Sequence, residues 1–274
     1  MPELPEVETI CRVLRNGGND IPSLVGLSVK KARVFWAGTI EEPPARKFQK
    51  RILGQSIHSI GRRGKYIVFS LTEDTMLIHL RMSGDLRVGK ADQVLGDHIR
   101  MVLYFNIDYQ LAFNNPRKFG RVWLLDDPEK VLGNLGPEPL DLNYTTEQFY
   151  QHLHQRKRQI KPLLTDQGFV AGLGNIYTDE ALNLAKIHPL VRSNQLTCTQ
   201  VEVLLSSIRD VLKEGIHRNG ASIDWVYQGG EFQNHFRVYQ REGEPCPECQ
   251  TPITRIIVGQ RGTHLCKKCQ VEPG

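Results

Sequence analysis

No stretch of this 274-residue chain approaches 18 uninterrupted apolar residues, so no segment reads as a membrane-spanning helix. The chain also lacks internal repeats and low-complexity tracts, and its length suits two domains and a small appendage. Its first residues, Met-Pro-Glu-Leu-Pro-Glu, lack the basic and apolar regions of a signal peptide. Cysteine is scarce: of six, only Cys11 and Cys198 lie outside the C-terminal segment. Both sit in segments that read as helix and are expected to be small buried hydrophobes. These features favour a reducing cytosol. Strong charge is lacking too. The net charge is +5, and residues 1–130 hold 20 Lys/Arg against 15 Asp/Glu. That excess permits nucleic-acid binding without demanding it.

What is present is concentrated in motifs. Cys246-Pro-Glu-Cys249 and Cys266-Lys-Lys-Cys269 are two CxxC knuckles separated by sixteen residues. Four thiolates at this spacing match a tetrahedral structural zinc, with one Zn²⁺ on Cys246, Cys249, Cys266 and Cys269. Two disulfides are the competing reading, but they belong mostly to small secreted domains. Gly259 and Gly262 punctuate the hairpin expected over 254–265. A closed Cys₄ site has no open coordination position, so the chemistry has to come from elsewhere.

The period of the apolar residues changes along the chain. Val7, Ile10, Cys11 and Leu14 form a helical stripe that Pro5 opens and Gly17-Gly18 stops. Strand-like runs follow at 29–36, 56–60, 66–71, 76–80, 99–105, 110–113 and 122–125, separated mostly by turn residues. They predict antiparallel strands in a sandwich or barrel. Beyond a Gly- and Pro-rich loop at 134–144 the period becomes helical. Thr145…Gln148 and Thr197…Gln200 have the form of capping boxes. They predict helices from 145 to about 154 and from 197 to about 219, with shorter helices at 161–167 and 175–187 between them.

Several segments carry chemically capable residues. Removal of Met1 would leave Pro2 with a secondary amine, whose reference pKa near 8 leaves a neutral fraction at pH 7. Such an amine can attack an aldehyde-like carbon, with Glu3 as the adjacent acid or base. Ordinary helix capping explains the same residues equally well. Gly61-Arg-Arg-Gly-Lys65 reads as a basic turn that could cradle phosphate. His79-Leu-Arg-Met-Ser-Gly84 and Asn114-Asn-Pro-Arg-Lys-Phe-Gly120 place Met82, Arg117 and Phe119 where they could wedge into a base stack, although Met82 and Phe119 could simply belong to the core. The glycines of Ala171-Gly-Leu-Gly-Asn-Ile-Tyr177 open a helix, a ready anion site, though no strand precedes them as a dinucleotide fold requires.

Taken in this order, over the whole chain, these segments resemble the formamidopyrimidine-DNA glycosylase family of bacterial base-excision repair. The resemblance implies an α+β chain. An N-terminal helix and antiparallel β-sandwich form a catalytic domain over 1–133, a helix–two-turn–helix DNA-binding domain spans 134–230, and a zinc finger spans 236–274. It implies a bifunctional DNA glycosylase and abasic-site lyase, with DNA lying in the cleft between the two halves. The partner would be double-stranded DNA carrying oxidised bases or abasic sites, bound by a monomer in the bacterial cytoplasm, on the nucleoid. By resemblance, Pro2 is the nucleophile at C1′, Glu3 the acid/base, and Glu6 supports the active site. Lys65 holds phosphate near the lesion. His79, Asn175 and Arg261 contact the backbone around the flipped nucleotide, and Lys161 helps line that region. Met82, Arg117 and Phe119 fill the void left by the extruded base.

Two departures stand out. Asn115 occupies a position where the family usually has Asp. The stretch from Ala221 to Phe232 is several residues shorter than the loop that in many family members closes over a flipped 8-oxoguanine, which argues against that preference and leaves formamidopyrimidines or oxidised pyrimidines open. Two rival readings are an endonuclease VIII-like glycosylase for oxidised pyrimidines and a non-catalytic damage-binding protein. The Met82/Arg117/Phe119 set argues against the first, and intact Pro2, Glu3 and Lys65 argue against the second.

Overall fold

The computed structural model describes residues 1–18, 21–222 and 229–272. They form two compact units. One covers Met1–Asn134; the other covers Leu135–Ala221 and continues from Gly229.

The first unit opens with α1 (Leu4–Asn16), which buries Val7, Cys11 and Leu14 as its stripe predicts. Gly17 ends the helix at φ 74°, and a Cβ there would lie 2.6 Å from the Ile21 carbonyl oxygen, so both backbone angle and space require glycine. Then follow β1 (Val29–Val34), β2 (Ile40–Glu42), α2 (Ala45–Arg51), β3 (Ile57–Arg63), β4 (Tyr66–Leu71) and β5 (Thr75–His79). After them come β6 (Asp85–Lys90), β7 (Ile99–Phe105), β8 (Tyr109–Asn114), β9 (Arg121–Leu125) and a one-turn helix α3 (Glu129–Leu132). The strands build a four-stranded sheet, β1-β7-β8-β6, and a five-stranded sheet, β2-β9-β5-β4-β3. Every pairing is antiparallel except β2 with β9.

Alternate residues of both sheets share one core: Ile67 and Phe69, Met76 and Ile78, Met101, Leu103 and Phe105, Leu111 and Phe113, Val122 and Leu124. This period of two is what makes the strands legible in sequence. Two strands and a helix escape that reading. In β6, Leu86 and Val88 are only partly buried at a sheet edge, and β2 is three residues long. Helix α2 buries a single residue of its own, Phe48, so it shows no stripe.

The second unit holds α4 (Thr146–His154), α5 (Ile160–Leu164), α6 (Asn175–Leu184), α7 (Cys198–His217) and a hairpin of β10 (Thr254–Val258) and β11 (Arg261–Leu265). Both predicted capping boxes are made. Thr145 and Gln148 exchange bonds of 3.0 and 3.2 Å, and Thr197 and Gln200 bonds of 2.9 and 3.3 Å. Helices α5 and α6 are shorter than expected. Cys198, predicted to be buried, is exposed at the start of α7. The hairpin turns on Gly259 and Gln260, both at positive φ, while Gly262 lies within β11 opposite Ile257.

Helix α6 holds the hairpin and the segment that leads to it through buried polar groups. Glu180 accepts the backbone N–H groups of Arg237, Val238 and Tyr239 at 2.7, 3.0 and 2.8 Å. Burial pushes the Glu180 carboxyl above its usual range against the pull of those bonds. Asn183 donates to Gln270 at 3.0 Å, and Asp179 accepts the His264 backbone N–H at 2.9 Å.

Candidate active site and metal centre

Strand register brings three loops to one end of the first unit. Tyr66 pairs with His79, and His79 with Arg121. The start of β4, the end of β5 and the start of β9 are therefore neighbours. In the other sheet the start of β6 and the end of β8 coincide, because Asp85 pairs with Asn114. The Gly64-Lys65 turn, the 80–84 loop and the 115–120 loop all emerge at these strand ends.

The N-terminus joins this region through α1. The Glu3 backbone N–H donates to the Glu6 carboxylate at 2.8 Å, and both side chains are about 2 % exposed. Pro2 is buried and Met1 exposed. One turn on, Glu8 receives Arg62 Nε at 3.3 Å, while Arg62 Nη1 donates to the Gly64 carbonyl at 3.1 Å. Arg62 thus ties the helix carrying Pro2 and Glu3 to the turn carrying Lys65. Arg15 reinforces the contact by donating to the Ile60 carbonyl at 2.9 Å. Lys65 is buried, and Gly64 supplies the positive φ, 56°, of the two-residue turn.

His79 is buried, and its Nδ1 accepts the Arg81 backbone N–H at 3.0 Å. The ring proton therefore sits on Nε2. Burial, reinforced by the charges of Arg81 and Lys65, depresses its pKa to about 3. The imidazole is a neutral donor. Tyr66 packs edge-on against it, with ring centroids 4.7 Å apart.

Met82 and Phe119 are exposed large hydrophobics, at 47 % and 51 %, and Arg117 is exposed between them in sequence. Exposure rules out the core reading of Met82 and Phe119. Their two loops share a floor, the fully buried ring of Phe113. A Cβ on Gly84 would lie 2.9 Å from that ring, and one on Gly120 2.5 Å. Ser83, also buried, accepts the Arg117 backbone N–H at 3.4 Å and links the loops. Asn115 closes its own loop by exchanging two bonds with Gly120. Sequence reasoning missed Ser83 and Arg62, since each acts through a partner more than fifty or thirty positions away: Glu8 for Arg62 (54) and Arg117 for Ser83 (34).

The second unit carries Lys161, Asn175 and Arg261. Lys161 is turned inward. It is 0 % exposed, and its ammonium donates to Asp179 at 2.5 Å and to the Gly262 carbonyl at 3.2 Å. It does not line a DNA-facing surface. Asn175 donates to the same carbonyl at 3.0 Å. Both residues thus hold the strand beside Arg261, which is exposed next to the hairpin turn. Removing one partner of so buried an ion pair costs about 3–5 kcal/mol.

The sulfur atoms of Cys246, Cys249, Cys266 and Cys269 lie within 4.8 Å of one another, and none is in a disulfide. Tetrahedral zinc–thiolate bonds near 2.3 Å put sulfurs about 3.8 Å apart. The Cys246–Cys269 separation is 3.9 Å and the Cys249–Cys266 separation 3.4 Å, so the donor set fits one structural zinc. The apolar cluster around it is small: Val238, Cys246, Ile253 and Cys266. Zinc supplies the cross-link that this segment is too small to replace with core. No helix among the described residues is long and apolar enough to cross a membrane.

Comparison with known proteins agrees with this geometry. Residues 1–122 match the model of the formamidopyrimidine-DNA glycosylase N-terminal domain, and 135–226 that of the H2TH domain of the same enzymes. Residues 243–271 match a zinc finger found in FPG and IleRS. The formamidopyrimidine-DNA glycosylase of Chloroflexus aurantiacus is 43 % identical, covering 99 % of this chain and 98 % of its own. That of Protochlamydia amoebophila is 40 % identical over 98 % and 99 %. A Lactococcus lactis FPG variant solved with DNA containing Fapy-dG superposes with a TM-score of 0.91 at 35 % identity, covering 99 % of this chain and 100 % of that one. A MutM complex with DNA containing carbocyclic 8-oxo-G gives a TM-score of 0.91 at 36 %, with 99 % and 100 % covered. The chain belongs to the formamidopyrimidine-DNA glycosylase family.

Proposed function

We propose that this chain is a bifunctional DNA glycosylase and abasic-site lyase for oxidised purines in double-stranded DNA, with Pro2 as its nucleophile once Met1 is removed. With Met1 attached, the Pro2 nitrogen is an amide and inert. The processed amine attacks C1′ of the damaged nucleotide. A C–N bond forms, the glycosidic bond breaks, and its electron pair leaves with the base, which takes up a proton. Glu3 protonates the ring oxygen as the sugar opens, giving an iminium. The iminium acidifies the 2′ proton. Its loss expels the 3′ phosphate, a second elimination expels the 5′ phosphate, and water releases Pro2.

The observation that carries this reading is the tie between α1 and the Gly64-Lys65 turn through Glu8 and Arg62. It joins the start of α1, next to Pro2 and Glu3, to the turn that carries Lys65, which supports a shared role for the three. Lys65, His79, Asn175 and Arg261 hold the backbone, which positions the duplex without reading sequence. Met82, Arg117 and Phe119 plug the stack, because an extruded base costs a few kcal/mol and leaves a hole. Glu6 supports Glu3, and Lys161 acts indirectly, through Gly262. The domains run 1–133, 134–230 and 236–274, and the protein works as a monomer on the chromosome in the bacterial cytoplasm. The family assignment favours this reading over an endonuclease VIII-like one.

Borohydride reduction tests it. The processed protein should be trapped on a duplex with an abasic site, with the cross-link mapped to Pro2. Trapping on a lysine, with Pro2 unmodified, would sink the assignment. Intact-mass measurement establishes whether Met1 is gone.

A further inference from the structure

Arg81 stands at φ 55°, in the left-handed region that favours glycine. It is exposed, and among the described residues its guanidinium makes no hydrogen bond or ion pair. Its backbone N–H is committed to His79 Nδ1, which leaves the ring's Nε2–H as the donor that can face a ligand. The turn continues through Met82 to Gly84, whose N–H donates to the Leu80 carbonyl at 2.9 Å. A glycine at 81 would make the same turn and the same bond to His79 without backbone strain. A strained position that carries a long unpaired cation beside a buried, oriented donor points to a ligand for both.

We propose that Arg81 and His79 form a two-donor clamp on one backbone phosphate of the bound duplex. The guanidinium supplies charge and the imidazole an N–H in a fixed direction. Phosphate oxygens suit this pair, since they accept several bonds at once and carry the charge that a guanidinium matches. Lys65 stands next to Tyr66, which pairs with His79 across the sheet, and its charge, like that of Arg81, bears on the ring. The clamp therefore extends the phosphate role of Lys65 across the turn toward the wedge residue Met82. The inference rests on the DNA-binding reading above and adds Arg81 to it.

Arg81→Gly isolates the side chain, because glycine keeps the N–H that orients His79 and relaxes the backbone. The probe is a duplex with a reduced abasic site, titrated from low to moderate salt. Affinity should fall roughly tenfold, and the slope of log Kd against log salt should fall by about one, as for one lost phosphate contact. The melting temperature should stay level or rise. Combining Arg81→Gly with His79→Ala should cost less than the two losses multiplied, since both hold one phosphate. Arg81→Lys should restore the salt slope. Wild-type affinity and slope in Arg81→Gly would overturn the proposal, as would a loss of affinity with an unchanged slope. Full multiplication of the two losses would overturn the shared phosphate. Wild-type protein that binds no abasic duplex would instead overturn the DNA-binding reading itself.

Discussion

Asn115 and Gly120 hydrogen-bond to each other twice. Asn115 Nδ2 donates to the Gly120 carbonyl and the Gly120 N–H donates to Asn115 Oδ1, both at 3.3 Å. Asn115 is fully buried, so these bonds close the loop that presents Arg117 and Phe119. A carboxamide offers one donor and one acceptor on a single planar group, and this pairing uses both.

Asn115→Ala should cost about 2–4 kcal/mol, because it leaves the Gly120 N–H and carbonyl buried without partners. Asn115→Asp keeps the acceptor but loses the donor and sets a buried carboxylate oxygen against the Gly120 carbonyl, so it should destabilise as well. Denaturant unfolding gives both values. Equal stability in all three proteins would show that the loop is held by Phe113 and Ser83 alone.

Glu3→Gln keeps size and polarity but removes the acid/base. Base excision should drop at least about a hundredfold, with lesion-duplex affinity within about threefold of wild type. Single-turnover rates and binding titrations separate the two. A rate loss fully matched by weaker binding would assign Glu3 to recognition.

His79 has its pKa depressed to about 3, by burial first and then by Arg81 and Lys65, with Tyr66 packed against the ring and Arg121 paired across the strand. It stays neutral from pH 5 to 8, so its contribution to DNA affinity should be flat over that window. Its contribution to stability has the opposite behaviour at acid pH. The folded pKa lies below the ordinary value near 6.5, so that stability is complete above pH 6.5 and drains away as pH falls toward 3. The affinity ratio of wild type to His79→Ala, measured across pH, tests the first statement. A ratio that climbs as pH drops through 6.5 would mean a charged imidazole.

Chelation of zinc, or Cys249→Ser, should unfold the 246–269 segment and reduce activity with it, because Arg261 and Gly262 lie on that hairpin. Metal analysis should find one zinc per chain. Full activity in a variant lacking all four thiols would remove the finger from function.

From the sequence, lesion preference is expected to follow the length of the stretch from Ala221 to Phe232, of which residues 223–228 lie outside the described residues. A short capping loop would offer fewer hydrogen-bond partners to a flipped purine. Each missing partner costs about 1–3 kcal/mol, roughly ten- to hundredfold in rate. Cleavage should be robust at abasic sites and formamidopyrimidines and modest at 8-oxoguanine. Single-turnover rates on duplexes that differ only in the lesion decide this. An 8-oxoguanine rate at or above the formamidopyrimidine rate would show that the short loop is no handicap.

The sequence by itself determined whatever depends on neighbours in the chain. Capping boxes need residues three apart, knuckles need CxxC, and sandwich strands need a period of two; each is a local pattern, and each was legible. The Pro2-Glu3 start was readable only in combination with the other motifs, since capping explains it alone. The tertiary structure decided what depends on distant partners. Lys161 looks like any basic residue at the start of a short helix until Gly262, 101 positions on, and Asp179 bury its charge. Ser83 carries no sequence signal, because its role arises only when two loops meet over Phe113. Strand β6 and helix α2 stayed hidden for a related reason. Edge strands and one-contact helices bury too little of themselves to impose a period, and their place is set by the sheet they join.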